Sequence, residues 1–201
     1  MYITKLTLKD GIKKLYEYDV HRDVYKYFFI NERNFLYRNN MAENKTVYVT
    51  SVCEPLYDII DKANKWNYIV KNFEPNFTNG QNLKFILRAN PTIKFNGSRH
   101  DIIMHAKTIN ECATNESLIY NKSLEWLKNK GENTGFEPID IFIKHYDQIK
   151  IYKRNTQPIT LSTVDYDGVL KITDADIFYT TLKSGIGSGK GFGCGMFMVR
   201  K

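Results

Sequence analysis

His21 is one of four histidines in this chain, with His100, His105 and His145, and its neighbours make it a candidate for chemistry. Tyr18 stands three residues before it, Arg22 one after and Lys26 five after. Residues three apart share a helix face, so a phenol and an imidazole would sit together with cations on the polar flank. Imidazole changes charge near neutral pH. Among cations it suits general acid–base work on a phosphate ester. A histidine beside an apolar stripe is also an ordinary packed helix residue, and spacing alone leaves both readings open.

The second candidate is backbone. Six of the twelve glycines fall on alternate residues, Gly185, Gly187, Gly189, Gly191, Gly193 and Gly195, in the stretch GIGSGKGFGCGMFMVRK. Glycine loses the most backbone freedom on folding. What it offers is N–H groups unshielded by side chains, which can form an anion-binding concavity. Lys190, between Gly189 and Gly191, adds positive charge. The stretch is not a Walker A loop, because Gly-Lys is followed by Gly191. It holds no G-x-G-x-x-G fingerprint and no G-x-S-x-G elbow. A slack turn is the alternative. The apolar run Met196, Phe197, Met198, Val199 argues instead for a loop tied to a last strand.

Other chemistry is thin. Asp165 and Asp167 in VDYDG read as a turn, and Asp174 and Asp176 in TDAD as a helix start. That leaves no dense carboxylate cluster of the kind a two-metal nuclease needs. Cys53, Cys112 and Cys194 are too scattered for a zinc site or a disulfide framework. The balance of 29 Lys+Arg against 22 Asp+Glu gives a net charge of +7, which implies an anionic partner: nucleic acid first, an acidic protein second. Lys84, Arg88, Lys94, Arg99 and Lys107 recur in strand-like pieces, and Lys144, Lys150, Lys153 and Arg154 decorate an expected hairpin. Such a hairpin could lie along a phosphate backbone or be a solvated basic face.

The elements that would carry these residues follow from periodicity. Residues 2–8 alternate as a strand, and 14–29 read as a helix whose Val20, Val24, Tyr27 and Phe28 form a buried stripe. Strands are expected at 35–38 and 46–52 around a turn RNNMAENK, then a short helix from Pro55 and a strand WNYIVKNF. This β-α-β-β-α-β order is ferredoxin-like. EPNFTNGQN reads as a linker, after which LKFILRA, a helix from Asn115 to about Lys130, two long strands, a helix capped by Thr173 or Asp174, and GMFMVRK repeat the plan. The expected class is α+β, with tandem ferredoxin-like domains over 1–77 and 78–201. No apolar run approaches membrane-spanning length and no signal peptide is read, so a soluble cytoplasmic protein is expected.

Together, Y-x-x-H on the first helix (Tyr18, His21), LRANP (Leu87 to Pro91), the terminal GIGSGKGFGCG and MYITKL at the start resemble the CasE family over nearly the whole chain. These are CRISPR RNA-processing endoribonucleases, subunits of the type I-E Cascade complex. The resemblance implies cleavage at the base of a CRISPR repeat RNA hairpin, with a 2′-hydroxyl attacking the adjacent phosphodiester and no metal or other cofactor. It places the catalytic histidine at His21, with Tyr18 orienting it or the ribose. RNA contacts are expected from Arg22, Lys26, Arg88, Lys94, Arg99, Lys107, Lys144, Lys150, Lys153, Arg154, Lys190, Gly189 and Gly191. Other Cascade subunits are the expected partners, and no membrane. One departure is that DIIMHAKT, before the second-half helix, offers only Lys107 and His105 where family members often carry several basic residues. The rival readings are a non-catalytic RNA-hairpin-binding subunit and a protein-interaction module with a basic face.

Overall fold

The computed structural model describes residues 1–13, 15–109, 115–153 and 156–201. The first half runs β1 (Tyr2–Leu8), α1 (Glu17–Phe28), β2 (Phe35–Asn40), a single helical turn α2 (Met41–Asn44), β3 (Thr46–Ser51), α3 (Tyr57–Ala63) and β4 (Trp66–Asn72). Its four strands pair antiparallel in the order β2-β3-β1-β4. Alternation along β1 sends Leu6 and Leu8 to one face, where they meet Val20, Val24, Tyr27 and Phe28 of α1 in one buried cluster. The amphipathic stripe therefore fixes which side of α1 is left outside, and Tyr18, His21 and Tyr25 lie on that half-exposed side.

The second half runs β5 (Asn82–Ala89), a hairpin of β6 (Thr92–Phe95) and β7 (Ser98–Asp101), α4 (Ile102–Ile109), α5 (Asn115–Glu132), β8 (Phe136–Ile151), β9 (Ile159–Ile172), α6 (Ala175–Ser184), a 3-10 turn Lys190–Phe192 and β10 (Phe197–Arg200). Its main sheet is ordered β10-β5-β9-β8. Numbering the four strands of each half in chain order gives 2-3-1-4 once and its mirror listing 4-1-3-2 once. The two halves are therefore the same ferredoxin-like topology, as the resemblance implies. A second core of Phe85, Leu87, Trp126, Leu127, Phe136, Phe178 and Phe197 lies under α5 and α6. Asp174 caps α6, its carboxylate accepting from Ile177 N–H at 2.9 Å.

Several expectations change in detail. The supposed turn RNNMAENK holds the end of β2 and all of α2. The hairpin β6–β7 and helix α4 were not anticipated and stand between β5 and α5. VDYDG is not a turn: Asp165, Asp167 and Gly168 lie inside β9. Gly168 is required there because a Cβ would collide with Asp140 O, beside the register shift between Pro138 and Asp140. Cys112 and Arg154 lie outside the described residues.

The halves are tied by charge. Asp165 on β9 accepts from Arg88 on β5 at two points, Nε to Oδ1 at 2.9 Å and Nη2 to Oδ2 at 2.7 Å. Arg38 on β2 of the first half reaches the same carboxylate, Nη2 to Oδ1 at 3.3 Å. Arg88 Nη1 also donates to Asn39 O of the first half at 3.2 Å. Burial pushes the Asp165 carboxyl up, but the hydrogen bonds and charges of Arg88 and Arg38 outweigh it and hold it below its usual range. Among the described residues no helix is long and apolar enough to cross a membrane.

Candidate active site

The glycine stretch of the second half reaches back to α1. His21 Nδ1 lies 2.6 Å from Gly191 O. A carbonyl oxygen only accepts, so Nδ1 carries the proton. That leaves Nε2 as the nitrogen free to take or give one. Phe192 tilts against the His21 ring at 4.9 Å between centroids, Tyr25 at 4.4 Å, and Tyr18 stacks at 5.7 Å. The ring is thus set by one hydrogen bond and three aromatic neighbours drawn from both halves.

Tyr37 on β2 donates its hydroxyl to the same Gly191 O at 2.8 Å. Burial, then the charge of Glu17, pushes the Tyr37 phenol far above its ordinary value. It therefore stays protonated and remains a donor. Gly191 O receives two donors and cannot swing away from His21 without losing both.

The loop that delivers this carbonyl is itself pinned. Gly195 N–H donates to Arg88 O at 2.7 Å and Ile186 N–H to Gly195 O at 3.1 Å. Ser188 Oγ donates to Asn90 Oδ1 at 2.5 Å, and Asn90 Nδ2 donates to Ser162 O at 2.6 Å. The LRANP motif thereby gains a physical reading: Arg88 clamps the halves and Asn90 fastens the loop. Cys194 is fully buried, and burial pushes its thiol up to about 12, which leaves it inert at neutral pH.

Gly189 and Gly191 differ. Gly189 has φ +71°, and a Cβ would sit 3.2 Å from Asn90 Cβ and 3.2 Å from Leu161 Cδ1. Gly191 is not left-handed, and its Cβ would meet only Tyr25 Oη at 3.5 Å and Arg33 Nη1 at 3.8 Å. Gly189→Val should therefore lose at least about 1–2 kcal/mol through the left-handed backbone alone. Gly191→Ala should keep a wild-type melting temperature. Thermal unfolding of the two variants checks this, and equal losses in both would refute it.

The expected cations divide into two groups. Arg22 and Lys26 are exposed on α1, Lys94 and Arg99 are exposed and register opposite each other on the β6–β7 hairpin, and Lys150, near the end of β8, and Lys153, just beyond it, are exposed. That end lies beside the site: Ile151, Leu161 and Cys194 form a buried cluster against which Tyr18, Ile149 and Phe192 pack. The second group is engaged. Arg88 is ion-paired with Asp165 in the clamp between the halves. Lys190 Nζ donates to Ser184 O at 2.8 Å and Gly185 O at 2.9 Å, where it caps the C-terminal end of α6. Burial, then the charges of Arg33 and Lys130, push its pKa down. Lys144 pairs with Asp167 at 2.5 Å and Lys107 lies 6.0 Å from the Tyr146 ring centre.

Tyr25, Arg33, Tyr37, Phe192, Asn90 and Asp165 were not foreseen as site residues. Tyr25 had a signal, being four residues after His21 on the same face. Tyr37 and Asp165 act through contacts 77 or more residues apart and had none. Among the described residues no three His, Cys, Asp or Glu side chains converge as a metal site.

Comparison with known proteins agrees with this architecture. A family model described as CRISPR associated protein matches residues 1–201. The CRISPR-associated endoribonuclease Cse3 of Thermus thermophilus is 24% identical over 222 residues, covering 99% of each chain. The structure of Thermus thermophilus Cse3 bound to an RNA representing a pre-cleavage complex superposes with a TM-score of 0.79 at 23% identity, over 100% of this chain and 98% of that one. A chain of a CRISPR RNA-guided surveillance complex superposes with a TM-score of 0.67 at 19% identity, over 99% and 98%. With its whole length matched by the family model, its two halves sharing one ferredoxin-like topology and its glycine loop closed on His21, the chain belongs to the CRISPR-associated protein family.

Proposed function

We propose that this protein is an endoribonuclease that binds a CRISPR repeat hairpin, cuts at its base and stays on the product as a subunit of a surveillance complex, in the cytoplasm. The observation that carries the reading is His21, its Nδ1 proton held by Gly191 O and its other nitrogen free, at the junction of the two halves. Residues 1–77 supply the catalytic helix, and residues 78–201 the glycine loop and the basic hairpins. The RNA 2′-oxygen attacks phosphorus, the bond from phosphorus to the 5′-oxygen breaks, and the proton lost by the first oxygen is balanced by one gained by the second. Nε2 of His21 handles one of these transfers, and Tyr18 orients the ring or the ribose. The relatives support the substrate class, since one is named an endoribonuclease and was solved with RNA.

The test is to incubate the protein with a repeat hairpin RNA, with and without EDTA, beside the same RNA carrying one 2′-deoxynucleotide at the scissile position. Cutting that survives EDTA and stops on the deoxy substrate is expected, because DNA-like sugar removes the nucleophile. A chelator-sensitive reaction, or normal cutting of the deoxy RNA, would overturn the metal-independent route. Binding without cutting would make the protein a non-catalytic hairpin binder.

A further inference from the structure

The reaction above places additional negative charge on the phosphoryl oxygens in its transition state, and a positioned donor there is worth about 10²–10³ in rate. Arg22 and Lys26 are exposed on the helix that carries His21. Lys190 is engaged at the end of α6.

Arg33 is placed differently. It stands in the segment between α1 and β2, exposed, where Asn31 takes φ 64° and an Ile30–Glu32 bridge tightens the turn. Its Nη1 borders the empty volume left by the missing Cβ of Gly191, with Tyr25 Oη on the same border. The carbonyl of that same Gly191 holds His21. Its positive charge acts to lower the pKa values of both Tyr37 and Lys190. No ion pair to Arg33 is formed among the described residues. An unpaired guanidinium beside a glycine that has no conformational need to be glycine is the arrangement expected where an anion approaches the backbone closely. Five N–H donors in a planar fork match phosphate geometry.

We propose that Arg33 is a catalytic residue, its guanidinium seating the non-bridging oxygens of the scissile phosphate over Gly191 next to His21, with Tyr25 Oη as a second donor. The inference rests on the endoribonuclease reading. Arg33 neutralises charge and moves no proton, so the balance written above is unchanged. Gly191 is open on this side to admit the phosphate.

The experiment measures single-turnover cleavage at saturating enzyme, together with hairpin affinity, for wild type, Arg33→Ala, Arg33→Lys and Gly191→Ala. It also uses RNA bearing a single phosphorothioate at the scissile position. Arg33→Ala should cut about 10²–10³-fold more slowly, with affinity changed far less. Arg33→Lys should recover part of the rate, since it restores charge without the fork. Sulfur should slow wild type more than it slows Arg33→Ala, because the alanine variant has no contact left to weaken. Gly191→Ala should fold normally yet slow cutting. Near-wild-type cutting by Arg33→Ala at saturation, or an equal thio effect in both proteins, would overturn the assignment while leaving the endoribonuclease reading standing. Failure of wild type to cut any hairpin would remove both.

Discussion

His21→Ala is expected to slow single-turnover cleavage by about 10²–10⁴-fold, the range for losing a positioned acid or base, while leaving hairpin affinity nearly intact. On the proposed reading affinity is spread over many cations, and Arg22, Lys26, Lys94, Arg99, Lys150 and Lys153 are all exposed, each able to neutralise one phosphate at most. Proton handling, on the same reading, rests on one free nitrogen. Alanine also frees Gly191 O of one donor, so a second variant separates chemistry from positioning. His21→Asn can still donate an amide N–H to Gly191 O, yet it has nothing that titrates near neutral pH. Both variants should be slow. If asparagine cuts like wild type, His21 only anchors the loop and the general acid–base assignment fails.

Much of the fold was legible because each half repeats a local rule. The stripe of Val20, Val24, Tyr27 and Phe28 announces α1, and alternation along residues 2–8 announces β1. Both lie in the expected places and face each other in one core. The hairpin β6–β7 was missed although its signal was present: Asn96-Gly97, with φ 48° and 77°, is the pair that a two-residue hairpin turn demands. Short flanking strands with mostly exposed side chains gave no apolar alternation to draw attention to it. His21 and Tyr18 were legible from spacing on one helix. Their partners were not, because Gly191, Tyr37 and Phe192 meet them only through tertiary folding. Glycine spacing gives no sign that most of the stretch is a closely packed strap, or that the Gly191 carbonyl accepts from both His21 and Tyr37. Lys190 and Arg88 show the same limit of composition, since a cation counts toward net charge whether it faces solvent or is already paired.

Asp165→Asn is expected to destabilise the protein by about 3–5 kcal/mol at neutral pH, the usual cost of breaking a buried charge pair from one side. The carboxylate is well buried, at 14% side-chain exposure, and faces Arg38 at 8% and Arg88 at 22%. An amide keeps the shape but leaves two guanidinium charges facing each other without a counter-ion. Denaturant unfolding at neutral pH measures the loss. Its pH dependence has a fixed sign. The folded carboxyl lies below its unfolded value of about 3.9, so its stabilisation is complete above that pH and disappears as pH falls through the folded value. Wild type and variant should therefore differ most near neutrality and converge in acid. A gap that stays constant with pH, or no gap at all, would show that the cluster does not hold the halves together. The same variant reports on function. Arg88 carries both the clamp and, through its carbonyl, the hydrogen bond to Gly195 N–H that anchors the glycine strap. Loosening the clamp should let Gly191 O drift from His21 and slow cleavage under conditions where the protein is still folded. That outcome would tie catalysis to the docking of two halves, neither of which contains the site alone.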